Sequence, residues 1–161
     1  MTSGDTAVFA PPYNDGFVAA FDMKGLPTRS RWIGTETPDR ASAIAIDASG
    51  VYVAGATQRT LPGHTSAVDS DGFLRKYSVD GSEIWTRQFG ASRSDELLAL
   101  ALDGSGVYLA GITEGTIAGQ PIWTGQFGTP GYDDALGLAV NAQGVYCAGN
   151  TRGALPGPRS T

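Results

Sequence analysis

Three observations predict an all-β fold of repeated antiparallel meanders. First, one strand-turn-strand unit is written three times: DRASAIAIDASGVYVAGAT at 39–57, DELLALALDGSGVYLAGIT at 95–113 and DDALGLAVNAQGVYCAGNT at 133–151. Second, its first half alternates large and small apolar residues with a period of two, the period of a strand. Third, 23 glycines and 9 prolines punctuate short apolar runs, and no stretch carries a helical period long enough to trust.

In order along the chain, residues 1–13 read as linker. Asp15 to Asp22 is a strand, Asp22-Met23-Lys24-Gly25 a turn, and Thr28 to Gly34 a second strand. The first repeated unit follows. Ile44 and Ile46 oppose Ala43 and Ala45 in it. In the second unit Leu98, Leu100 and Leu102 oppose Ala99 and Ala101; in the third, Leu136, Leu138 and Val140 oppose Gly137 and Ala139. Both faces of this strand are apolar, which predicts burial on both sides, one bulky face nesting on one flat face. Gly55, Gly111 and Gly149, each after an alanine in the second strand, predict a bulge or a close backbone approach. Residues 58–70 form a long loop. Asp71 to Ser78 and Glu83 to Gly90 repeat the opening hairpin around Asp80-Gly81, a strong hairpin signal. After the second unit the linker Glu114 to Pro121 runs straight into Ile122 to Gly128, without a match to Asp71 to Ser78.

Gly111 lies 56 residues after Gly55 (111 − 55), and the same step carries Asp15-Gly16-Phe17 onto Asp71-Gly72-Phe73. Gly149 lies 38 residues after Gly111 (149 − 111), a step that carries Trp85 onto Trp123. Four short strands per repeat in a meander describe the blade of a β-propeller. The Ala/Leu strand is placed innermost, the Val-Tyr strand second, the Gly-Phe strand third and the Trp strand outermost, with Trp85 and Phe89 filling the gap between blades. The prediction is one propeller domain over 1–161, with blade parts 15–34, 39–90, 95–128 and 133–151, about three blades with one lacking a strand. The tail Leu155-Pro156-Gly157 echoes Leu61-Pro62-Gly63. The opening hairpin and the closing one are complementary halves of a blade, so the expectation is an open arc: part of a longer propeller, or a homo-oligomer completed by further copies.

Composition narrows the function classes. A chain of 161 residues can hold one sizeable core. The net charge of −5, with both signs mixed and no basic patch, argues against a nucleic-acid partner. No run of 18 apolar residues is present, so no membrane-spanning helix is expected. The opening segment lacks a basic stretch ahead of an apolar one, so no signal peptide is expected. A single cysteine, Cys147, excludes an internal disulfide framework.

At these residues a family resemblance emerges. Asp71-Gly72-Phe73-Leu74-Arg75-Lys76-Tyr77, Asp80-Gly81, Trp85-Thr86-Arg87-Gln88-Phe89-Gly90, Asp95-Glu96, Asp103, Gly106-Val107-Tyr108 and Gly111 resemble the bacterial SBBP repeat. The first repeat departs from it, with Arg29 where Trp85 would match and Trp32 displaced. The resemblance implies a β-propeller within longer bacterial secreted or cell-surface proteins, and no shared catalytic machinery.

The candidate chemistry is sparse. Asp39, Asp95, Glu96, Asp133 and Asp134 precede the innermost strands at equivalent places. Gathered at one mouth of a channel, they could bind Ca²⁺ through oxygen ligands; the competing and favoured reading has each aspartate bonding the backbone of its own turn. Asp69, Asp71, Asp80 and Glu83 lack the ligand series of a calcium loop and read as turn chemistry. His64, the one histidine, lies in a Pro-Gly loop with no nucleophile elbow in the sequence, and reads as loop surface. Cys147, at the position of Val53 and Leu109, reads as core filler. Tyr52, Tyr108 and Tyr146 could line a carbohydrate surface but read first as packing between sheets, each hydroxyl reaching a polar partner. The expected function is a non-enzymatic scaffold or ligand- or protein-binding module without a required cofactor. The alternatives are an enzyme-associated propeller, since Asp80-Gly81-x-x-x-Trp85 also looks like the tryptophan repeat of quinoproteins, and a structural fragment without activity of its own.

Overall fold

The structure is a computed structural model that describes residues 14–64, 69–90, 93–114, 129 and 132–154. The expected linker at 1–13, the Trp123 strand and the Leu155-Pro156-Gly157 echo lie outside the described residues. Among the described residues all regular structure is β, in ten strands joined antiparallel. A hairpin of β1 (Gly16–Phe21) and β2 (Pro27–Ile33) comes first. Next is a four-stranded sheet in sequence order: β3 (Asp39–Asp47), β4 (Gly50–Thr57), β5 (Asp71–Tyr77) and β6 (Glu83–Phe89). Two further hairpins follow, β7 (Asp95–Asp103) with β8 (Gly106–Thr113), and β9 (Asp133–Asn141) with β10 (Gly144–Thr151).

The turns form for local reasons. Asp22 Oδ1 accepts from the backbone N–H of Lys24 at 2.8 Å and of Leu26 at 2.9 Å, and Gly25 takes the left-handed φ of 81° that the reversal needs. Asp80 closes the β5–β6 turn in the same way, with Ser82 N–H at 3.1 Å and Gly81 at φ 87°. In the repeated unit Asp47, Asp103 and Asn141 each accept from the two N–H groups that follow across the turn, at 2.7 to 3.2 Å.

Each repeated unit contains a β-bulge. Ser42, Leu98 and Leu136 have no cross-strand partner, so the register slips by one residue at the same place in all three copies. The bulge turns a carbonyl onto the glycine opposite. A Cβ at Gly55 would lie 1.7 Å from the Arg40 oxygen, at Gly111 1.9 Å from that of Glu96, and at Gly149 1.8 Å from that of Asp134. The expected glycine signal therefore holds, and it corrects the expected alternation. Leu98 and Leu136 sit on the bulge itself, and Leu97 joins Leu100 and Leu102 on the packed face.

The sheets pack face to face in series: β1–β2 against β3, the four-stranded sheet against β7, and β7–β8 against β9. One core cluster, Ile33, Val53, Leu61, Phe73 and Tyr77, fills the space between the first hairpin and the four-stranded sheet. A second, Tyr52, Ala54, Leu74 and Leu100, fills the space between that sheet and β7–β8, with Ala43, Ala45, Trp85, Phe89 and Leu102 at its margins. Small on large is the nesting the sequence predicts, and Tyr52 meets Trp85 edge to face at 6.1 Å. Fully burying a Phe73-sized side chain contributes about 2–3 kcal/mol. Where Trp85 has no match, Arg29 and Arg31 cross to the turn of the next sheet. Arg29 Nη1 donates to Val79 O and Arg31 Nε to Gly81 O, both at 2.6 Å.

Two expectations about burial are corrected here. Ile44 and Ile46 are exposed, because the first hairpin, which packs on that face of the sheet, meets β3 beside Ala41 and leaves them uncovered. Cys147 is exposed rather than core filler, because among the described residues β10, unlike β4, has no third strand beside it.

Candidate functional site

The strand starts β3, β5, β7 and β9, together with the loop after β4, gather at one end of the sheets, and the sequence-predicted carboxylates lie there. Asp39 is buried; its Oδ2 accepts from the Thr35 backbone N–H at 2.5 Å and from Thr35 Oγ1 at 2.9 Å. Asp133 repeats the arrangement with the Thr129 N–H at 2.6 Å and Thr129 Oγ1 at 3.2 Å. Asp134 Oδ1 accepts from the Asn150 N–H at 2.8 Å. Asp95 is buried, and its own N–H donates to Ser70 O at 2.7 Å, as that of Asp39 donates to Asn14 O at 3.0 Å. Glu96 pairs with Arg40 at 2.5 Å across the two sheets. The carboxylates of Asp39, Asp133, Asp134 and Glu96 thus serve their own turn or the neighbouring sheet. No group of three or more His, Cys, Asp or Glu side chains converges among the described residues.

Two further aspartates belong to this end and were not placed there by the sequence. Asp15 and Asp71, at the starts of the first and second repeats, fold back under Gly34 and Gly90. A Cβ there would lie 2.6 Å from the Asp15 carboxyl carbon and 1.9 Å from Asp71 Oδ1. The repeat of Asp-Gly-Phe with a glycine closing the hairpin was the available signal. Burial, and then the nearby charge of Asp39, hold the Asp15 carboxyl above the usual carboxylate range. The Oδ1 atoms of Asp15 and Asp39 are both buried without a hydrogen-bond partner. Asp133 behaves oppositely, lowered chiefly by the Thr129 N–H bond.

The loop after β4 is pinned over this end. Leu61 is buried, and its N–H donates to Gln88 Oε1 at 2.9 Å, while Gln88 Nε2 donates to Asp71 Oδ2 at 2.7 Å and Arg59 O at 3.3 Å. Thr57 and Thr151 shape the chain leaving β4 and β10, each hydroxyl donating to a carbonyl two residues on at 3.0 Å. His64 closes a turn through its N–H to Leu61 O at 3.0 Å and lies half-buried. Of the second expected loop, residues 114–121, only Glu114 is described; its N–H donates to Ser94 O at 3.3 Å, at this same end. Tyr52 packs between sheets with its hydroxyl 3.0 Å from Ser49 Oγ; the Tyr108 hydroxyl reaches Asp103 Oδ2 at 3.3 Å; Tyr146 is exposed. Asp80 and Glu83 serve the β5–β6 hairpin, far along the strands from Asp71, which separates the residues of the calcium-loop reading.

No family model matches the chain. Among curated proteins it is similar to the regulatory protein FlaEY of Caulobacter vibrioides, at 29% identity over 109 residues. The matched segment covers 63% of this chain and 11% of that protein, so the chain spans about a tenth of its length.

Proposed function

We propose that this chain is a non-enzymatic β-propeller repeat module of the SBBP type, a scaffold that presents a binding surface for a protein or other ligand. Its blade parts at 15–34, 39–90, 95–128 and 133–151 form one domain, and its setting is a longer bacterial protein that is secreted or held at the cell surface. The observation that carries the reading is the recurrence in all three units of the same bulge, glycine and strand-start aspartate (Asp39, Asp95, Asp133) around one complete four-stranded meander. Such a unit holds its framework through backbone geometry and leaves the loops free to vary. Similarity to a regulatory protein fits a role exercised through binding. The binding surface is the carboxylate end, where the loop carrying Arg59, Pro62 and His64 is fixed by Gln88.

Photo-crosslinking in the native host tests this. A benzophenone amino acid replaces Pro62 on the loop end or Val79 on the opposite turn, both exposed. A partner captured from position 62 and not from 79 is the expected result; equal capture from both, or from neither, removes the binding surface.

A further inference from the structure

The four-stranded sheet packs on both faces, and equivalent positions fill the two interfaces differently. Towards β7–β8, Leu74 and Trp85 occupy the interface. There Trp85 meets Tyr52 edge to face at 6.1 Å, and the Lys76 ammonium lies over the Tyr52 ring at 4.9 Å. The 56-residue step places Val18, Ala20 and Arg29 of the first hairpin at the positions of Leu74, Lys76 and Trp85. Val18 and Ala20 are the smaller residues, and a guanidinium on a flexible arm replaces a broad indole. The result is a cleft of about 50 Å³ between the hairpin and the sheet, with Val18, Ala20, Val51 and Val79 as its apolar wall. Arg29, Arg31 and Tyr77 also line it.

The charged groups lining the cleft are cationic, and its buried hydroxyl is a donor. Tyr77 is 3% exposed, and its hydroxyl is buried without a hydrogen-bond partner, although the Arg75 guanidinium lies beside it. Burial raises the Tyr77 pKa against the opposing effect of Arg75, so the hydroxyl keeps its proton and is able to donate. Arg29 Nη1 and Arg31 Nε are tied to Val79 O and Gly81 O, which holds both arms across to the turn and leaves each guanidinium with further N–H groups. The carboxylates of this turn are engaged elsewhere. Asp80 feels the Arg29 charge but accepts from Ser78 Oγ and the Ser82 N–H. Glu83 accepts from Thr86 Oγ1 at 2.7 Å and pairs with Arg75 at 3.5 Å. Among the described residues neither Arg29 nor Arg31 forms a salt bridge.

We infer that this cleft is a site for a small aliphatic carboxylate of acetate size. Its volume holds about four non-hydrogen atoms, at the roughly 10–15 Å³ that one water-sized atom needs. The methyl group lies on the valine wall. The carboxylate accepts from the Arg29 and Arg31 guanidiniums, whose planar forks match it, and from the Tyr77 hydroxyl. A tetrahedral dianion such as phosphate has no apolar side to set against the valines. An acidic side chain of another protein carries the same group; a cleft of this size beneath two tethered arms takes the free acid. None of these side chains belongs to the loop end proposed above as the binding surface.

Carbon-13 acetate is titrated into the full chain at constant ionic strength and followed by NMR line broadening. The expected result is saturable binding that unlabelled acetate displaces and that chloride, phosphate and the bulkier pivalate do not. Val18→Leu fills the cleft with the residue its counterpart Leu74 carries, and should abolish binding with the melting temperature unchanged or raised. Tyr77→Phe keeps the packed ring and should weaken binding about tenfold, the loss of one hydrogen bond to a charged group. Arg31→Gln should weaken it by about as much, while Arg87→Gln, the same change at the equivalent position of the next repeat, should leave it unaltered. Equal losses from Arg31→Gln and Arg87→Gln, or displacement by chloride as readily as by acetate, would leave a general counterion effect and overturn the site. Full binding in a folded Val18→Leu chain would put the acetate elsewhere and overturn it too. Displacement by N-acetylaspartate amide at lower concentrations than by acetate would overturn the free acid as the occupant.

Discussion

Strands β4 and β10 read Gly-Val-Tyr-Val-Ala-Gly-Ala-Thr and Gly-Val-Tyr-Cys-Ala-Gly-Asn-Thr, two differences in the whole strand. β4 is buried along nearly all its length and β10 is exposed along nearly all of it. Their own hairpins are alike, down to the bulge and the glycine under its carbonyl. What differs is the neighbourhood. β4 has β5 on its free edge, a hairpin on one face and β7 on the other; among the described residues β10 pairs with β9 alone. Local residues therefore make the hairpin, and burial arrives with the next sheet. The same holds on the first strand, where Leu100 is 9% exposed and its equivalent Ile44 61%.

The largest test of that contrast is a charge at the two equivalent positions, read as denaturation midpoints. Leu100→Asp places an unpaired carboxylate between packed sheets and removes apolar burial, an expected loss of about 4 kcal/mol or more. Ile44→Asp should stay within about 0.5 kcal/mol. Similar losses would show that the face of β3 is already covered in the single chain.

Backbone approach should break the likeness within a hairpin rather than between hairpins. Gly149→Ala drives a methyl into the Asp134 carbonyl and is expected to cost about 1–3 kcal/mol, because a backbone group, not a flexible side chain, must move. Gly137→Ala, with 3.8 Å to the nearest atom, should be near neutral. Urea denaturation of the two variants reads the difference.

The carboxylates separate by the sign of their pH dependence. Asp80 is lowered, first by its bond from the Ser78 hydroxyl, and Asp133 by the Thr129 N–H. A lowered folded value gives stability that is complete above the unfolded carboxyl pKa of about 3.9 and is lost as pH falls through the folded value. Asp15 is raised, by burial and then Asp39. Its contribution is complete below the unfolded value and lost as pH rises through the folded one. Asp80→Asn should lower the melting temperature at pH 7, and Asp15→Asn should raise it. Both differences should shrink towards pH 3 in melting curves; the same sign for both at pH 7 would contradict the burial of Asp15.

The smallest effect belongs to the surface ion pair between the sheets. Arg40 is largely exposed, so Arg40→Ala should cost at most about 1 kcal/mol and less in high salt. A larger, salt-independent loss would make this contact part of the inter-sheet packing.

Strand positions, turn chemistry and the order of the meander were legible in the residues because each depends on near neighbours. The Asp and Asn side chains cap turns two or three residues away, Gly25 and Gly81 supply left-handed turns, and alternation names the strands. The repeat step placed the carboxylates at equivalent ends, and the glycine after each alanine announced the bulge. The bulge changed which leucines share a face, since one unpaired residue reverses the alternation beyond it, so Leu97 and not Leu98 packs with Leu100. Packing brought Asp15 beside Asp39 and Asp71 beside Gln88, contacts between residues 24 and 17 positions apart (39 − 15 and 88 − 71) that no local pattern connects. Tertiary structure also decided that Tyr52 is core while Tyr146 and Cys147 face solvent, because burial is conferred by the sheet that packs alongside, and among the described residues β10 pairs with β9 alone.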